Sequence, residues 1–181
     1  MKALIIVDVQ NDFCPGGALP APKANEIIPR INKLMDKFDV VVASRDVHPP
    51  DTKHFDKWPP HCVEGTKGAL FHPELNITKI HKGFHKGTGN KDDGYSAFEA
   101  TNESLTDYLL SKKVTDAYIT GLTSEYCVKN TALDAAHKGF NTWLVTDAIA
   151  AVEPGSDKEA KALRDMKNEG INFIESSLIC C

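Results

Sequence analysis

Two hydrophobic periodicities alternate along this chain. Short, nearly unbroken apolar runs rich in β-branched residues occupy residues 3–7, 40–43, 117–120 and 142–145, the pattern of strands covered on both faces. Weaker runs of the same kind lie at 77–81 and 171–174. Between them, residues 24–38 place Ile27, Ile28, Ile31, Leu34 and Met35 at helical spacing, and 104–112, 127–138 and 157–169 supply further helical patterns, with Gly139 and Gly170 as helix stops. Alternating β and α segments with short connections predict an α/β fold: a three-layer α/β/α sandwich around a mainly parallel open sheet, with right-handed crossovers. No linker or repeat interrupts the alternation, so residues 1–181 read as a single domain.

Composition narrows the function. With 41% hydrophobic and 25% charged residues and a formal charge of -4, the chain has no basic footprint for nucleic acid. No apolar run approaches the roughly 18 residues needed to cross a bilayer, and the N-terminal apolar segment, short and directly followed by acids, reads as a buried strand. The expectation is a cytoplasmic protein acting on a small molecule, with homo-oligomerisation open. The cysteines Cys14, Cys62, Cys127, Cys180 and Cys181 show no framework spacing, which favours reduced thiols over a disulfide scaffold. The terminal Cys180-Cys181 pair is assigned no role.

Parallel sheets place ligand sites beyond the carboxyl ends of their strands. There the first strand delivers Asp8, the second Asp46 and His48, the third a lysine from "HKGFHKG", and the fourth leads into Cys127 in "GLTSEYCV". Singly, an aspartate can cap a turn, a lysine is usually solvated and a cysteine usually packs in a core. Together they make acyl-transfer equipment: a thiol at a helix start, a lysine to favour its thiolate, an aspartate to move its proton, and turn N–H groups to hold an oxyanion.

A second cluster lies nearby. Asp46-x-His48 on a strand end directs two ligands to one side, and His61 from the loop "KWPPHCVEGT" can close one face of a divalent cation. A carboxylate and imidazole set suits Zn, Fe or Mn with positions left open. Packing of both histidines within proline-rich loops explains the same spacing.

The segments "ALIIVDVQNDFCPGGALP", "SRDVHPPD", "WPPHCVEGTKGA", "DDGYSAFEAT", "YITGLTSEYCVKNTALDA" and "VTDAIAAV", in this order, resemble the nicotinamidases of the isochorismatase-like cysteine hydrolases. The resemblance implies an Asp-Lys-Cys triad with Asp8 and Cys127, a metal held by Asp46, His48 and His61, and a cis peptide at Leu122-Thr123 with the Thr123 and Cys127 N–H groups as oxyanion hole. It further implies hydrolysis of nicotinamide to nicotinic acid and ammonia through a cysteine thioester, serving NAD salvage, with one divalent ion as cofactor, zinc first and Fe or Mn open.

The triad lysine is ambiguous. Lys82 fits the end of a strand over 77–81, while Lys86 fits the family's distance to "YSAF" but requires a glycine and two lysines to extend a buried strand. Lys82 is the preferred choice and Lys86 the alternative. Phe13, Trp58, Tyr95 and Tyr126 lie in matched segments and are candidate walls for a pyridine ring. In "PPDTKHF" the family commonly has a His and a Ser before the phenylalanine, and Ser124 and Glu125 stand where Thr and Asp are usual. The alternative readings are a cysteine hydrolase of ureido or carbamoyl amides and, more remotely, a metal-binding or thiol redox module in which Cys127 pairs with Cys14 or Cys62.

Overall fold

The computed structural model describes residues 1–180; Cys181 lies outside them. Six strands form one all-parallel sheet: β1 (Lys2–Val7), β2 (Val40–Asp46), β3 (Lys82–Lys86), β4 (Asp116–Leu122), β5 (Asn141–Ala150) and β6 (Asn172–Ile174), in the spatial order β3-β2-β1-β4-β5-β6. The helices are α1 (Ala24–Leu34), α2 (Leu105–Ser111), α3 (Lys129–His137) and α4 (Asp157–Asn168). Among the described residues no helix is long and apolar enough to cross a membrane.

The layers follow from strand alternation. Leu4 and Ile6 of β1 pack with Ile27, Ile28, Ile31 and Leu34 of α1. Ala3, Ile5 and Val7 face the other way, onto Leu105 and Leu109 of α2, Ala132 and Ala135 of α3 and Met166 of α4. Each of the larger side chains contributes roughly 1.5–3 kcal/mol by leaving water, so both faces of β1 must be apolar and the expected unbroken run results. Ser104 and Ser156 cap α2 and α4 by accepting from Asp107 N and Glu159 N, each at 3.2 Å. Gly139 and Gly170 both have positive φ at the ends of α3 and α4, as expected of helix stops.

Two expected elements differ. Residues 77–81 are not a strand: Ile77–Lys79 is a 3-10 turn with Ile77 exposed, and the third strand begins only at Lys82. The expected helix over 127–138 starts as a single π-helical turn, Ser124–Val128, before α3 continues it.

Strand β3 forms one edge of the sheet. Its outer side is closed by the segment after the next loop: Asn102 Oδ1 accepts from His85 N at 2.8 Å, Asn102 Nδ2 donates to Gly83 O at 3.1 Å, and Thr101 N donates to His85 O at 2.8 Å.

Candidate active site

The registers align the functional residues at one end of the sheet. Asp46 pairs with Lys86 between β2 and β3, and Val7 pairs with Gly121 between β1 and β4. Asp8 follows directly from β1 in the left-handed region, φ 47°, which aspartate tolerates better than most residues. Gly121 has φ 106°, and a Cβ there would sit 2.1 Å from Val7 O; only glycine lets β4 approach β1 this closely. A cis peptide links Leu122 to Thr123, and the π-helical turn then presents Cys127, an arrangement frequent at functional sites. Thr123 O accepts from Tyr126 N and Val128 N at 3.1 and 3.2 Å, which closes the turn.

At the centre lies Lys86, fully buried. Its ammonium donates to Asp46 Oδ1 at 2.5 Å, Gly94 O at 2.7 Å and Cys127 Sγ at 3.4 Å. Its three protons are thus engaged. Asp8 Oδ2 sits 2.7 Å from the same ammonium as an ion pair but has no directed hydrogen bond of its own, whereas Asp8 Oδ1 accepts from Ser44 Oγ at 2.7 Å. The free Oδ2 is therefore an available proton acceptor beside the thiol, and one polar atom each of Asp8, Asp46 and Cys127 lie within 4.8 Å of one another.

The preference for Lys82 is corrected. Lys82 opens β3 instead of ending a strand, and its half-exposed side chain pairs with Glu103. Strand alternation puts Lys86 on the inward face with Phe84, one full strand length nearer the site. The objection to a polar strand fails because β3 is a five-residue edge strand whose outer side is already covered, and because two carboxylates neutralise the buried lysine.

Burial and charge set the protonation states. Burial raises the Asp8 carboxyl, against the opposing pull of Lys86, to about 6. Burial would also raise Asp46, but the adjacent Lys86 charge holds it well below the usual range. Burial pushes the Cys127 thiol well up, with Lys86 pulling the other way, so the resting group is a thiol and its proton must be removed during reaction. Lys86, which burial would lower, is kept firmly charged by Asp46 and Asp8.

The imidazoles gather on the far side of Asp46. Asp46 Oδ2 is 3.5 Å from His48 Nε2 and 4.0 Å from His61 Nε2. One ring nitrogen each of His48, His54 and His61 lie within 4.8 Å of one another, all three residues being buried. His54 was missed by sequence reasoning; its position in "PPDTKHF" offered only the signal of one more histidine beside the metal motif. Each ring has its Nδ1 engaged by an oxygen: Gly87 O for His48 at 2.9 Å, Asp92 Oδ1 for His54 at 3.0 Å and Pro59 O for His61 at 2.8 Å. Such bonds place the proton on Nδ1 and leave the Nε2 lone pair for a ligand. His48 Nε2 is buried with no hydrogen-bond partner. Burial lowers the pKa of His54 and His61, keeping both neutral. An orphaned buried nitrogen within three clustered imidazoles and an ionised carboxylate fits a divalent cation of zinc-like character. Gln10 fixes the carboxylate's backbone, accepting from Asp46 N and donating to Asp46 O, both at 2.8 Å.

All four aromatic residues singled out in the sequence, Phe13, Trp58, Tyr95 and Tyr126, line one pocket together with Cys127, Thr123, His54 and His61. Trp58 meets Tyr126 edge-on at 4.9 Å and donates Nε1–H to Tyr95 Oη at 3.0 Å. Leu19 and Val152 complete the wall and were not foreseen. Val152 is held by Glu125, whose Oε1 accepts from Glu153 N at 3.0 Å. Among the described residues Cys14, Cys62, Cys127 and Cys180 are free thiols.

Residues 2–177 match the Isochorismatase domain family. The chain is 37% identical to the nicotinamidase of Acinetobacter baylyi over 96% of its length and 92% of that protein, and 36% identical to the nicotinamidase/pyrazinamidase of Mycobacterium tuberculosis over 98% and 100%. Its fold superposes on the crystal structure of the pyrazinamidase of Pyrococcus horikoshii in complex with zinc with a TM-score of 0.86, at 40% identity over 96% of this chain and 98% of that one. A parallel sheet with a carboxylate, a lysine and a cysteine at its carboxyl edge, matched along nearly the whole sequence, makes this protein a member of the isochorismatase family.

Proposed function

We propose that the protein is a nicotinamidase, a hydrolase of the amide C–N bond that converts nicotinamide to nicotinic acid and ammonia, and so feeds NAD salvage in the cytoplasm. The observation that carries this reading is the pocket itself: an aromatic slot lined by the Cys127 thiol and by two of the clustered imidazoles, with the buried Lys86 ammonium and the free Asp8 carboxylate oxygen directly behind the thiol. The relatives' names agree with that chemistry.

In the proposed reaction Asp8 Oδ2 takes the Cys127 proton as Sγ attacks the carboxamide carbon. Lys86 stabilises the thiolate that forms, and the Thr123 and Cys127 N–H groups hold the oxyanion, donors of the kind worth about 10²–10³ in rate each. When the tetrahedral adduct collapses, the C–N bond breaks and protonated Asp8 returns its proton to the departing nitrogen, releasing ammonia and leaving a thioester. Asp8 then deprotonates a water that attacks the thioester carbonyl. The C–S bond breaks, Cys127 recovers its proton from Asp8, and nicotinic acid departs. Phe13, Trp58, Tyr95 and Tyr126 enclose the ring and hold the amide over Sγ. Asp46, His48, His54 and His61 would hold one divalent cation, zinc by the donor set, whose Lewis acidity gives the ring nitrogen an anchoring position.

The test is ammonia release from nicotinamide by zinc-reconstituted protein, beside a chelated sample and Cys127→Ala. Release that requires both thiol and metal is expected, with Cys127→Ala folded, zinc-loaded and inactive. Release by Cys127→Ala, or none from intact zinc-loaded protein that instead hydrolyses a carbamoyl amide, would overturn the reading.

A further inference from the structure

The loop between β3 and the "GYSAF" segment does more than connect them. It runs from Gly87 to Gly94, and its groups hold both clusters: Gly87 O takes the proton of His48 Nδ1, and Gly94 O takes one from Lys86. Asp92 is its most connected side chain. Oδ1 accepts from His54 Nδ1 at 3.0 Å and from the Tyr95 hydroxyl at 2.7 Å, while Oδ2 pairs with Lys57. The Tyr95 oxygen in turn accepts from Trp58 Nε1 at 3.0 Å. One carboxylate oxygen therefore sets the proton position of an imidazole in the cation cluster and the position of two walls of the ring slot. A neighbouring acid provides a contrast, since Asp93 pairs only with Lys91 at the surface.

We propose that Asp92 is a positioning residue that couples cation loading at His54 to the set of the Tyr95–Trp58 wall, so that a metal-loaded site and a substrate-shaped slot form together. This rests on the nicotinamidase reading only for its kinetic arm. A ligated imidazole is a stronger N–H donor, so His54 bound to a cation draws Asp92 Oδ1 more firmly, and the Tyr95 hydroxyl bond that shares that oxygen, and the Trp58 indole bond to the Tyr95 oxygen behind it, adjust with it. No proton leaves or arrives; the coupling is carried by hydrogen-bond geometry.

The experiment uses the Trp143→Phe background, which leaves Trp58 as the remaining tryptophan and keeps an aromatic ring stacked on Tyr118. Zinc affinity is measured by competition with a chromophoric chelator, Trp58 emission is followed during the zinc titration, and KM and kcat for nicotinamide are taken at saturating zinc. Asp92→Ala is expected to weaken zinc by about 10- to 100-fold, the usual effect of losing a partner behind a ligand. It should abolish the zinc-dependent change in Trp58 emission and raise KM about tenfold, with kcat kept within about threefold. Asp92→Asn, which retains one carbonyl acceptor, should fall between Asp92→Ala and the parent, and Asp93→Ala should match the parent in every readout. Unchanged zinc affinity in Asp92→Ala, or weakened affinity with the Trp58 response intact, would overturn the proposal. So would equal effects of Asp93→Ala. If the parent binds zinc and shows the Trp58 response but releases no ammonia, the substrate assignment fails and the coupling stands.

Discussion

Exchanging Lys86 for methionine tests the central ion cluster and the choice between two lysines at once. The substitution keeps the length of the buried side chain and removes the charge that faces Asp8 Oδ2 at 2.7 Å and Asp46 Oδ1 at 2.5 Å. All three groups are inaccessible to solvent or nearly so. Removing one member of a buried ion pair typically costs about 3–5 kcal/mol because the remaining charge is stranded. For a chain of this size each kcal/mol moves the melting temperature by about 2–4 °C, so Lys86→Met should melt roughly 6–20 °C lower at neutral pH. Acid should recover part of the loss. Asp8 already titrates at about 6 in the folded state against 3.8 as a reference, and without Lys86 its folded value rises further. A carboxyl whose folded pKa is raised binds its proton more tightly when folded. The penalty is thus full at high pH, shrinks as pH falls through the folded pKa and is gone below the unfolded one. Ammonia release should fall by about 10³ or more, since a protonated Asp8 cannot act as base and the thiolate loses its counter-charge. Lys82→Met removes a surface pair with Glu103, worth about 0–1 kcal/mol, and should leave turnover unchanged. Thermal melts at two pH values and the ammonia assay decide the matter. Turnover retained in Lys86→Met and lost in Lys82→Met would refute the reasoning.

His54→Ala should lower zinc affinity by at least about tenfold, read by chelator competition, with the fold intact by circular dichroism; parental affinity would remove His54 from the ligand set. The pH profile of kcat/KM should lose activity as pH falls through about 6, because Asp8 must be ionised to take the thiol proton; an acid limb that survives unaltered in Asp8→Asn protein with residual activity would assign it elsewhere. Gly121→Ala should prevent stable folding, by about 4 kcal/mol or more, as its Cβ would meet Val7 O at 2.1 Å. Gly139→Ala, at φ 89° with no atom within 4 Å of the new Cβ, should cost only about 1–2 kcal/mol in a urea melt.

The parts of the fold that were legible are those whose signal is local. The run 3–7 reads as a strand because both faces of β1 are covered, and Asp8 and Asp46 were found because a parallel sheet turns the end of each strand into a site. Position in the sheet was not legible, and the misplacement of Lys82 follows from it. A strand judged by the rules for a central position looks impossible with lysines at both ends, yet an edge strand accepts them when Glu103 meets Lys82 at the surface and Asp8 and Asp46, from the ends of β1 and β2, meet Lys86 inside. Ile77 misled in the complementary way, as an apolar alternation that the fold leaves at the surface. His54 was hidden because a 3-10 turn, Lys53–Asp56, rotates it toward His48 and His61, and a one-turn feature carries no periodicity. Leu19 and Val152 reach the pocket from loops, where chain spacing carries no directional information.

Lys86 also has a consequence for how the chain finds its fold. Because side chains alternate across a strand, a slip of β3 by one residue would turn the lysine to the opposite face, expose Phe84 and leave Asp8 and Asp46 as two bare carboxylates in an apolar interior. The same slip would take His85 out of reach of the Asn102 and Thr101 groups that close the outer edge. The ionic cluster is thus a register key for the last lane of the sheet, and the covered edge denies a second chain the template for strand addition. An assembly error at this edge would therefore be penalised before any chemistry is attempted.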